Sequence, residues 1–207
     1  MAPTPDALHR APRGPASIVV RGGRPQRVDD AGVATRERLL VAAAEACVEH
    51  GYEGATVADI ARRAEVSAPA IYNHFGGKAE LLVAAGRWAL DRLQADRGAG
   101  LTASAVAHAF LADSFAANRR LLSELHLAGQ RRPEVAELLA DWHRDHAMTW
   151  RPYAIGRQPD ATVRLFFALL LGLCQIDSLV ALPCAPSTVS RLVDDMLCRL
   201  FTEEPVR

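Results

Sequence analysis

The segment from Thr56 to Phe75, TVADIARRAEVSAPAIYNHF, constrains the fold of this chain more than any other stretch. Apolar residues recur in it at steps of three and four, stop in the middle and then resume, which indicates two short helices joined by a tight turn. Thr56 and Ser67 precede the two helices, where a hydroxyl can cap free backbone N–H groups. Pro69 falls in the first turn of the second helix, where proline is tolerated. The pattern predicts a helix-turn-helix unit.

The second helix of such a unit fits the major groove of DNA, and its exposed side chains read the bases. Small and apolar groups suit thymine methyls, whereas an amide or an imidazole suits base edges and phosphates. The DNA contacts predicted for the two helices are Thr56, Ser67, Ala68, Pro69, Ala70, Asn73 and His74, with Ile71 and Phe75 facing inward. The pattern alone leaves an alternative open, because such helix pairs are common in ordinary helical bundles.

The residues around this unit make the prediction of a DNA-binding helix-turn-helix more specific. From Thr35 to Leu82 the chain resembles the DNA-binding domain of the tetracycline-repressor-like (TetR) family of transcription regulators. Cys47 departs from the family pattern, which usually has a larger aromatic or aliphatic residue there. The resemblance implies a homodimeric regulator that binds double-stranded DNA, and it implies no enzymatic activity. The positions that carry it are Arg36, Leu40, Gly51, Tyr52, Thr56, Ile60, Ala61, Ala64, Val66, Ser67, Tyr72, His74, Phe75, Lys78 and Leu81.

Residues near the helix ends complete the predicted DNA contacts. Arg36, near the start of a first helix over 35–50, is free to meet a phosphate or to remain an ordinary surface arginine. Lys78 opens a fourth helix over 78–97, where free N–H groups attract phosphate. Tyr72 is expected to donate its hydroxyl to nearby backbone. Gly51 is predicted to end the first helix in a left-handed conformation.

The N-terminal residues form a predicted basic arm. Five arginines lie between Ala7 and Val28 with no acidic residue, and no helical period runs through them. Arg21, Arg24 and Arg27 resemble the arginine hooks that lie in A·T-rich minor grooves. A solvated tail that attracts DNA only diffusely is the alternative. Deletion of residues 1–27 distinguishes the two, since unchanged operator affinity and salt dependence would dismiss the arm.

Composition agrees with a regulator that holds DNA through local patches. The formal net charge is zero, with 24 Lys or Arg against 24 Asp or Glu, which argues against a protein that coats nucleic acid. Cys47, Cys174, Cys184 and Cys198 are far apart without metal-ligand spacing, which indicates reduced thiols in the cytoplasm.

Length and periodicity predict an all-α fold of about nine helices. We expect a disordered basic arm over residues 1–33, a three-helix helix-turn-helix DNA-binding domain over 34–80, and a helical ligand-binding and dimerisation domain over 81–207. Prolines near the starts of apolar repeats place the last five helices at 102–117, 118–129, 133–153, 160–182 and 187–202.

The helix over 133–153 carries tryptophans, a tyrosine and a histidine on one face. Such a stripe favours a pocket for a hydrophobic or amphipathic small-molecule effector, and a plain core is the alternative. The predicted pocket residues are Trp88, Phe110, Phe115, His126, Trp142, His146, Trp150, Phe166, Cys174 and Asp177. The fourth helix connects this region to the DNA-binding domain and is the expected lever between them.

The last two helices are strongly apolar. Three polar or charged residues and a glycine interrupt the first of them, so we predict a helix buried on most sides and not a membrane span. In the family resembled, the final two helices of each subunit form a four-helix dimer interface, with paired domains reading a palindrome. The interface residues implied here are Phe167, Leu171, Ser178, Val189, Leu192, Val193, Met196 and Leu200.

No catalytic arrangement accompanies these features. The run from His143 to Asp145 resembles a kinase catalytic loop, but the sequence has neither a Gly-rich phosphate loop nor Asp-Phe-Gly. His143 and His146 are one turn apart without a third strong ligand, so we predict no metal and no cofactor. We expect a repressor that a small ligand releases from its operator. The alternatives are a ligand-blind DNA-binding regulator and a small-molecule or metal-binding module without DNA binding.

Overall fold

The computed structural model describes residues 30–95, 102–179 and 186–204, and it is all-α over these ranges, apart from one isolated antiparallel bridge between Ala154 and Phe201. The prediction of about nine helices in an all-α fold is confirmed. The helices described are α1 (Asp30–Gly54), α2 (Val57–Arg63), α3 (Ala68–Tyr72), α4 (Lys78–Ala95), α5 (Ala103–Leu111), α6 (Ala116–Gly129), α7 (Pro133–Trp150), α8 (Pro159–Leu179) and α9 (Pro186–Leu200), with short 3-10 helices at Asp113–Phe115 and Arg151–Tyr153. The predicted arm, with Arg21, Arg24 and Arg27, lies outside the described residues.

The first helix differs from its predicted bounds at both ends. It begins at Asp30 rather than Thr35 and continues to Gly54 beyond a kink at Gly51. Gly51 has the predicted left-handed φ, at +70°, but with ψ 174° it forms a kink and does not end the helix, because the chain resumes a helical turn after it. The extra turn carries Tyr52, which is 5% exposed, into the core beneath the DNA-binding helices.

Thr56 and Ser67 occupy the N-cap positions of α2 and α3, but only Thr56 caps with its side chain. The Thr56 hydroxyl accepts a hydrogen bond from the Asp59 N–H at 3.1 Å. The predicted side-chain cap of Ser67 was wrong. Pro69 has no N–H to offer, and the Ala70 N–H donates to the Ser67 carbonyl at 2.9 Å instead.

The two helices predicted at 102–117 and 118–129 are separated in the structure by an additional turn. Ala112 is extended (φ −61°, ψ 145°), so α5 ends at Leu111 and a 3-10 turn precedes α6. The Arg119 guanidinium donates to the carbonyls of Phe110 and Ala112 at 2.6 and 2.8 Å. The first bond satisfies a carbonyl near the end of α5, and the second adds to the bond that the Ala112 carbonyl accepts from the Phe115 N–H at 2.9 Å, so both stabilise the break.

One continuous apolar core joins the DNA-binding helices to the rest of the molecule. Helix α1 packs against α2, α4 and α6, α7 packs against α4, α6 and α8, and α9 packs against α5. Leu39, Ile60, Leu81, Leu121 and Leu125 are each completely buried along this core. Burial of each leucine or isoleucine contributes about 1.5–3 kcal/mol to the free energy of folding. A movement of α4 or α6 would therefore also displace the helices that pack against them. None of the helices in the described ranges is both long and apolar enough to cross a bilayer.

Candidate nucleic-acid interface and interior cavity

Helix α3 is only five residues long, and two apolar anchors hold it in place. Ile71 is completely buried and Phe75 is 3% exposed. Around these anchors, Ser67, Pro69, Tyr72 and Asn73 are exposed, and Ala68, Ala70 and His74 are half-buried. The predicted reading residues therefore lie on or beside the outer face of α3. Tyr72 is 60% exposed, which suits contact with a partner molecule.

The turn between α2 and α3 depends on one unusual backbone conformation. Glu65 has φ +56°, in the left-handed region that non-glycine residues rarely adopt. The Val66 N–H then donates to the Ala61 carbonyl at 3.0 Å, which ends α2 and turns the chain toward Ser67. The sequence identified this turn by its break in periodicity but gave no sign of the positive φ, because glutamate is not a residue typical of it.

One salt bridge joins α2 to α1, and two more lie within α2. Arg63 donates to Asp59 within α2 and to Glu49 on α1, both at 2.7 Å. Arg62 shares Asp59 at 2.5 Å, but its side chain is 71% exposed. Because exposed ion pairs contribute little to stability, Arg62 can leave Asp59 for a phosphate at little cost in free energy. Arg63, by contrast, holds α2 and α1 together.

Lys78 contacts the end of α1, and its predicted contact with phosphate stays a prediction. Its ammonium donates to the carbonyls of Tyr52 and Glu53 at 2.8 and 3.3 Å and lies 4.6 Å from the centre of the Tyr52 ring. At the start of α4, Glu80 accepts the Gly76 N–H at 2.7 Å, in the position where phosphate was expected. The carbonyls at the end of α1 attract the ammonium because a helix C-terminus carries partial negative charge.

Arg36 lies where α1 approaches the end of α3. It is exposed, and its guanidinium carbon is 5.1 Å from the centre of the Phe75 ring. Contact with the face of an aromatic ring holds the charge in place without using the N–H donors, so these remain free for phosphate.

A small cavity lies between α4, α5, α6, α7 and α8. It has a volume of about 50 Å³, and its lining is almost entirely apolar and aromatic. Six of the ten predicted pocket residues line it: Phe110, His126, Trp142, His146, Trp150 and Phe166. The remaining lining residues are Leu90, Val106, Leu122, His143, Phe167, Leu170 and Leu171.

Two predicted pocket residues do not line the cavity. Trp88 is half-buried on α4, with the Arg92 guanidinium carbon 5.0 Å from its ring centre. Phe115 is buried behind Phe110, at 5.5 Å between ring centres. Both were predicted from ring character alone, which does not specify the side of a helix. The side chains of Cys174 and Asp177 lie outside the described part of α8.

Three histidines form a cluster on one wall of the cavity. The Nε2 atoms of His126 and His143 are 2.9 Å apart, and Nδ1 of His126 is 2.7 Å from the Leu122 carbonyl oxygen. Nδ1 of His146 is 3.3 Å from the Trp142 carbonyl oxygen. The sequence pattern suggested for His143 a kinase-like loop or a metal site, neither of which was predicted, and it did not indicate this cluster. Within the described ranges, no group of three His, Cys, Asp or Glu residues is arranged to hold a metal.

Burial keeps these imidazoles uncharged near neutral pH. Desolvation, and then repulsion from His126 and His146, lower the pKa of His143 to about 4. Desolvation likewise lowers the pKa of His126 and of His146 below the ordinary histidine value. Trp142, which is 3% exposed, has no hydrogen-bond partner for its indole Nε1 among the described residues.

Several residues predicted for a dimer interface are used within the chain. Phe167 and Leu171 line the cavity, and Val193 is only 7% exposed and belongs to the core. Leu192, by contrast, is 65% exposed, and Leu165 on α8 is 53% exposed. The predicted residues Val189, Met196 and Leu200 are half-buried, and the side chain of Ser178 is not among those described. An apolar stripe in sequence does not distinguish burial in its own chain from burial in a partner.

Helix α4 connects the cavity to the DNA-binding helices. Leu90 lines the cavity, and one turn earlier a Cβ on Gly86 would lie 2.8 Å from Leu125 Cδ1. At the same point it would lie 3.3 Å from Leu122 Cδ2, a leucine that also lines the cavity. Helices α4 and α6 therefore approach closely at the cavity wall.

Polar contacts tie α4 to its neighbours at both ends of this crossing. Arg87 forms an ion pair with Asp145 of α7, and Arg92 donates to Glu37 of α1 at 2.9 Å. At the other end, Lys78 contacts the last turn of α1. A displacement of α4 at the cavity would therefore move groups attached to the DNA-binding helices.

Two family models match this chain. The model of bacterial regulatory proteins of the tetR family matches residues 39–85. The model of the tetracyclin repressor-like C-terminal domain matches residues 93–203.

Curated relatives are similar over shorter segments. The HTH-type transcriptional activator FasR of Mycolicibacterium smegmatis is 39% identical over 87 residues, which are 42% of this chain and 37% of FasR. The HTH-type transcriptional repressor AcnR of Corynebacterium efficiens is 41% identical over 58 residues, or 28% of this chain and 31% of AcnR. The chain thus matches less than two fifths of the length of these relatives.

Solved structures are similar over most of the chain. A transcriptional regulator from Rhodococcus sp. has a TM-score of 0.61 at 21% identity, covering 83% of this chain and 98% of its own. A regulator from Saccharomonospora viridis in complex with choline has a TM-score of 0.57 at 19% identity, covering 82% of this chain and 99% of its own. At these identities the likeness shows a shared fold.

Proposed function

Since this chain belongs to the tetR family of bacterial regulatory proteins, a family of DNA-binding transcription regulators and not of enzymes, we propose that it is a repressor released from its operator by a small molecule. In this proposal two subunits pair and place their α3 helices in successive major grooves of a palindrome, with half-sites about 10 bp apart. The effector enters the cavity between α4 and α8. One observation supports the switch: Leu122 of α6 lines the cavity and also packs against α4 at Gly86.

For DNA reading, we propose that the exposed residues of α3 contact base edges while charged residues around it hold the backbone. Pro69 and the alanines are suited to thymine methyls, and Asn73 is suited to adenine. Arg36 and Arg62 supply solvent-exposed guanidinium groups for phosphates. Lys78 contacts phosphate only if it leaves the carbonyls of Tyr52 and Glu53.

For pairing, we propose that α8 and α9 of two subunits form the dimer interface. Leu165 and Leu192 are large apolar side chains that are more than half exposed, and a dimer would cover them. Sedimentation of the purified chain tests this arrangement. Replacement of Leu192 by glutamate should yield monomers with a folded DNA-binding domain, whereas replacement of exposed Met148 on α7 should leave the dimer unchanged.

The small volume of the cavity supports the proposed switch. A space of about 50 Å³ holds a water molecule or two, far less than the roughly 300 Å³ or more of a typical ligand site. A ligand must therefore push the walls apart. Because Leu122 and Leu125 of α6 pack directly against Gly86 of α4, widening the cavity displaces α4. A coupling of about 1–3 kcal/mol between ligand and DNA is enough for a useful switch.

The same volume favours a second candidate function. If the cavity never opens, the protein is a ligand-blind regulator whose larger domain serves only for pairing. Relatives differ in the direction of control, since FasR is named an activator and AcnR a repressor. We propose repression because a regulator bound at a promoter can block transcription without any further contact with the transcription machinery.

Binding to the DNA upstream of the protein's own gene tests this function. Fluorescence anisotropy with that duplex and with a scrambled duplex should show specific binding that weakens steeply with salt. Asn73→Ala should reduce the preference between the two duplexes, whereas Met148→Ala, on the exposed side of α7, should change neither binding nor stability. Equal affinity for both duplexes at moderate salt would refute a sequence-specific regulator.

A further inference from the structure

The polar groups of the cavity have a definite donor and acceptor pattern. Nδ1 of His126 donates to the Leu122 carbonyl, so Nε2 of the neutral ring must accept. The Nε2 of His143, 2.9 Å away, is therefore the donor of that pair. This leaves Nδ1 of His143 as an acceptor. By the same reasoning, Nδ1 of His146 donates to the Trp142 carbonyl, and Nε2 of His146 is an acceptor.

One donor in the lining has no acceptor. The indole N–H of Trp142 is buried and has no partner within the described residues. Leaving a buried N–H without a hydrogen bond is costly, and such groups in native structures commonly mark a place where a ligand or water binds. The residues that line the cavity therefore include one with an unpartnered buried N–H donor and two with imidazole nitrogens that can accept a proton.

The charged residues around the cavity are few. No Asp, Glu, Lys or Arg is among its described lining residues. The charged residues that act on His146 through space are Arg87 and Asp91 on α4 and Asp145 on α7. Arg87 and Asp145 form an ion pair with each other. Helices α5 and α8 contribute only apolar side chains to the lining in the described part of the chain.

We propose that the effector is a weak organic acid with an apolar body, which binds as an anion while His143 takes up its proton. The inference rests on the proposed function in taking this cavity as the effector site. The O–H bond of the acid breaks, the proton moves to Nδ1 of His143, and the resulting carboxylate remains beside the imidazolium. The carboxylate also accepts the Trp142 N–H. Entry in the neutral form avoids moving an isolated charge into an apolar cavity.

Other ligand classes fit the cavity less well. A cation would meet uncharged imidazoles and no carboxylate in the described lining. A neutral alcohol could accept the Trp142 N–H, but it would leave the histidine pair unchanged and exchange no proton. The classes therefore differ in the number of protons bound with the ligand at pH 7: one is taken up with an acid, and none with an alcohol or a cation.

A matched series of ligands tests the proposal on the full-length dimer. Phenylacetate, 2-phenylethanol and phenyltrimethylammonium share a ring and differ in charge, and octanoate adds an alkyl acid. Calorimetry in two buffers of different ionisation enthalpy should give one proton taken up per acid bound at pH 7. The Kd of the acids should rise about tenfold per pH unit from pH 6 to 8, while that of the alcohol stays constant.

Variants connect the proton to the named residues. His143→Phe should abolish both proton uptake and the pH dependence of acid binding. Trp142→Phe removes the N–H but keeps a ring, and it should weaken acid binding about tenfold while retaining proton uptake. His50→Gln, at an exposed histidine on α1, is the matched control and should change neither. Circular dichroism and thermal unfolding confirm that each variant is folded.

The outcomes separate this inference from the proposed switch. Proton-coupled acid binding that leaves operator DNA bound would support the inference and refute the switch. Release of DNA by the alcohol or the cation, with no proton exchanged, would support the switch and refute the inference. If neither acid binds with a Kd below about 10 mM, the inference is overturned and the ligand-blind function is favoured.

Discussion

Mild acid should destabilise this protein through the buried histidine cluster, and His143→Phe should remove much of the effect. Burial and the neighbouring imidazoles lower the pKa of His143 to about 4, from an ordinary value of 6.5. In the unfolded chain the ring binds a proton below about 6.5, whereas in the folded chain it does so only near 4. The unfolded state therefore binds more protons between these values, and stability falls as pH decreases through this window.

The magnitude follows from the two pKa values. For a single group moving from 6.5 to about 4, linkage gives a loss of about 2 kcal/mol between pH 7 and pH 5. Because His143 is only partly buried, solvent screening reduces this, and we expect about 1 kcal/mol. The lowered pKa values of His126 and His146 act in the same direction and add to the loss in the wild type.

Urea unfolding at pH 7 and pH 5, at one protein concentration, measures this difference. Wild type and His143→Phe are compared, and the difference between their pH effects isolates the imidazole. His50→Gln serves as the control at an exposed position and should behave like the wild type. An equal loss of stability in wild type and His143→Phe would show that the cluster is not what acid disrupts, and the reasoning would fail.

Three substitutions in the DNA-binding region should have distinct effects. Ile71→Ala removes a completely buried anchor of α3 and should cost about 2–5 kcal/mol in urea unfolding and abolish specific DNA binding; a loss below 1 kcal/mol would contradict its anchoring role. Glu65→Gly should stabilise the protein by about 0.5–1 kcal/mol, because glycine tolerates φ +56°, and a lower Tm would show that the turn is unstrained. Lys78→Met should cost about 1 kcal/mol by removing the ammonium from the Tyr52 carbonyl, and it should leave the salt dependence of DNA binding unchanged; a slope reduced by about one would show that Lys78 neutralises a phosphate instead.

Features that depend on neighbouring residues in the chain were predictable from the sequence. The helix-turn-helix, the Thr56 cap and the left-handed Gly51 each follow from local periodicity or from one residue's backbone preference. Six cavity residues were also found, because aromatic side chains at helical spacing share one face of α7 or lie on the helices packed against it. These signals act over a few residues, which is the range in which a sequence pattern carries geometric information.

Contacts between helices distant in sequence were not predictable. His126 and His143 meet across α6 and α7, and nothing in either local pattern indicates that the two rings are 2.9 Å apart. Lys78 reaches back 26 residues to the Tyr52 carbonyl, where a phosphate was expected. Phe167 and Val193 are apolar residues on apolar stripes, and only the packed fold shows that both face their own chain.

In the proposed switch, the near absence of empty space in the cavity has a consequence for how selectively the protein can respond to ligands. Every ligand first does the same mechanical work of separating the wall, and only then gains from its own contacts. Trimming the wall, for example by Phe167→Leu at a cavity-lining position, lowers that common threshold for all molecules together. Sensitivity and discrimination should therefore trade against each other, so that a variant responding to lower doses also responds to more compounds.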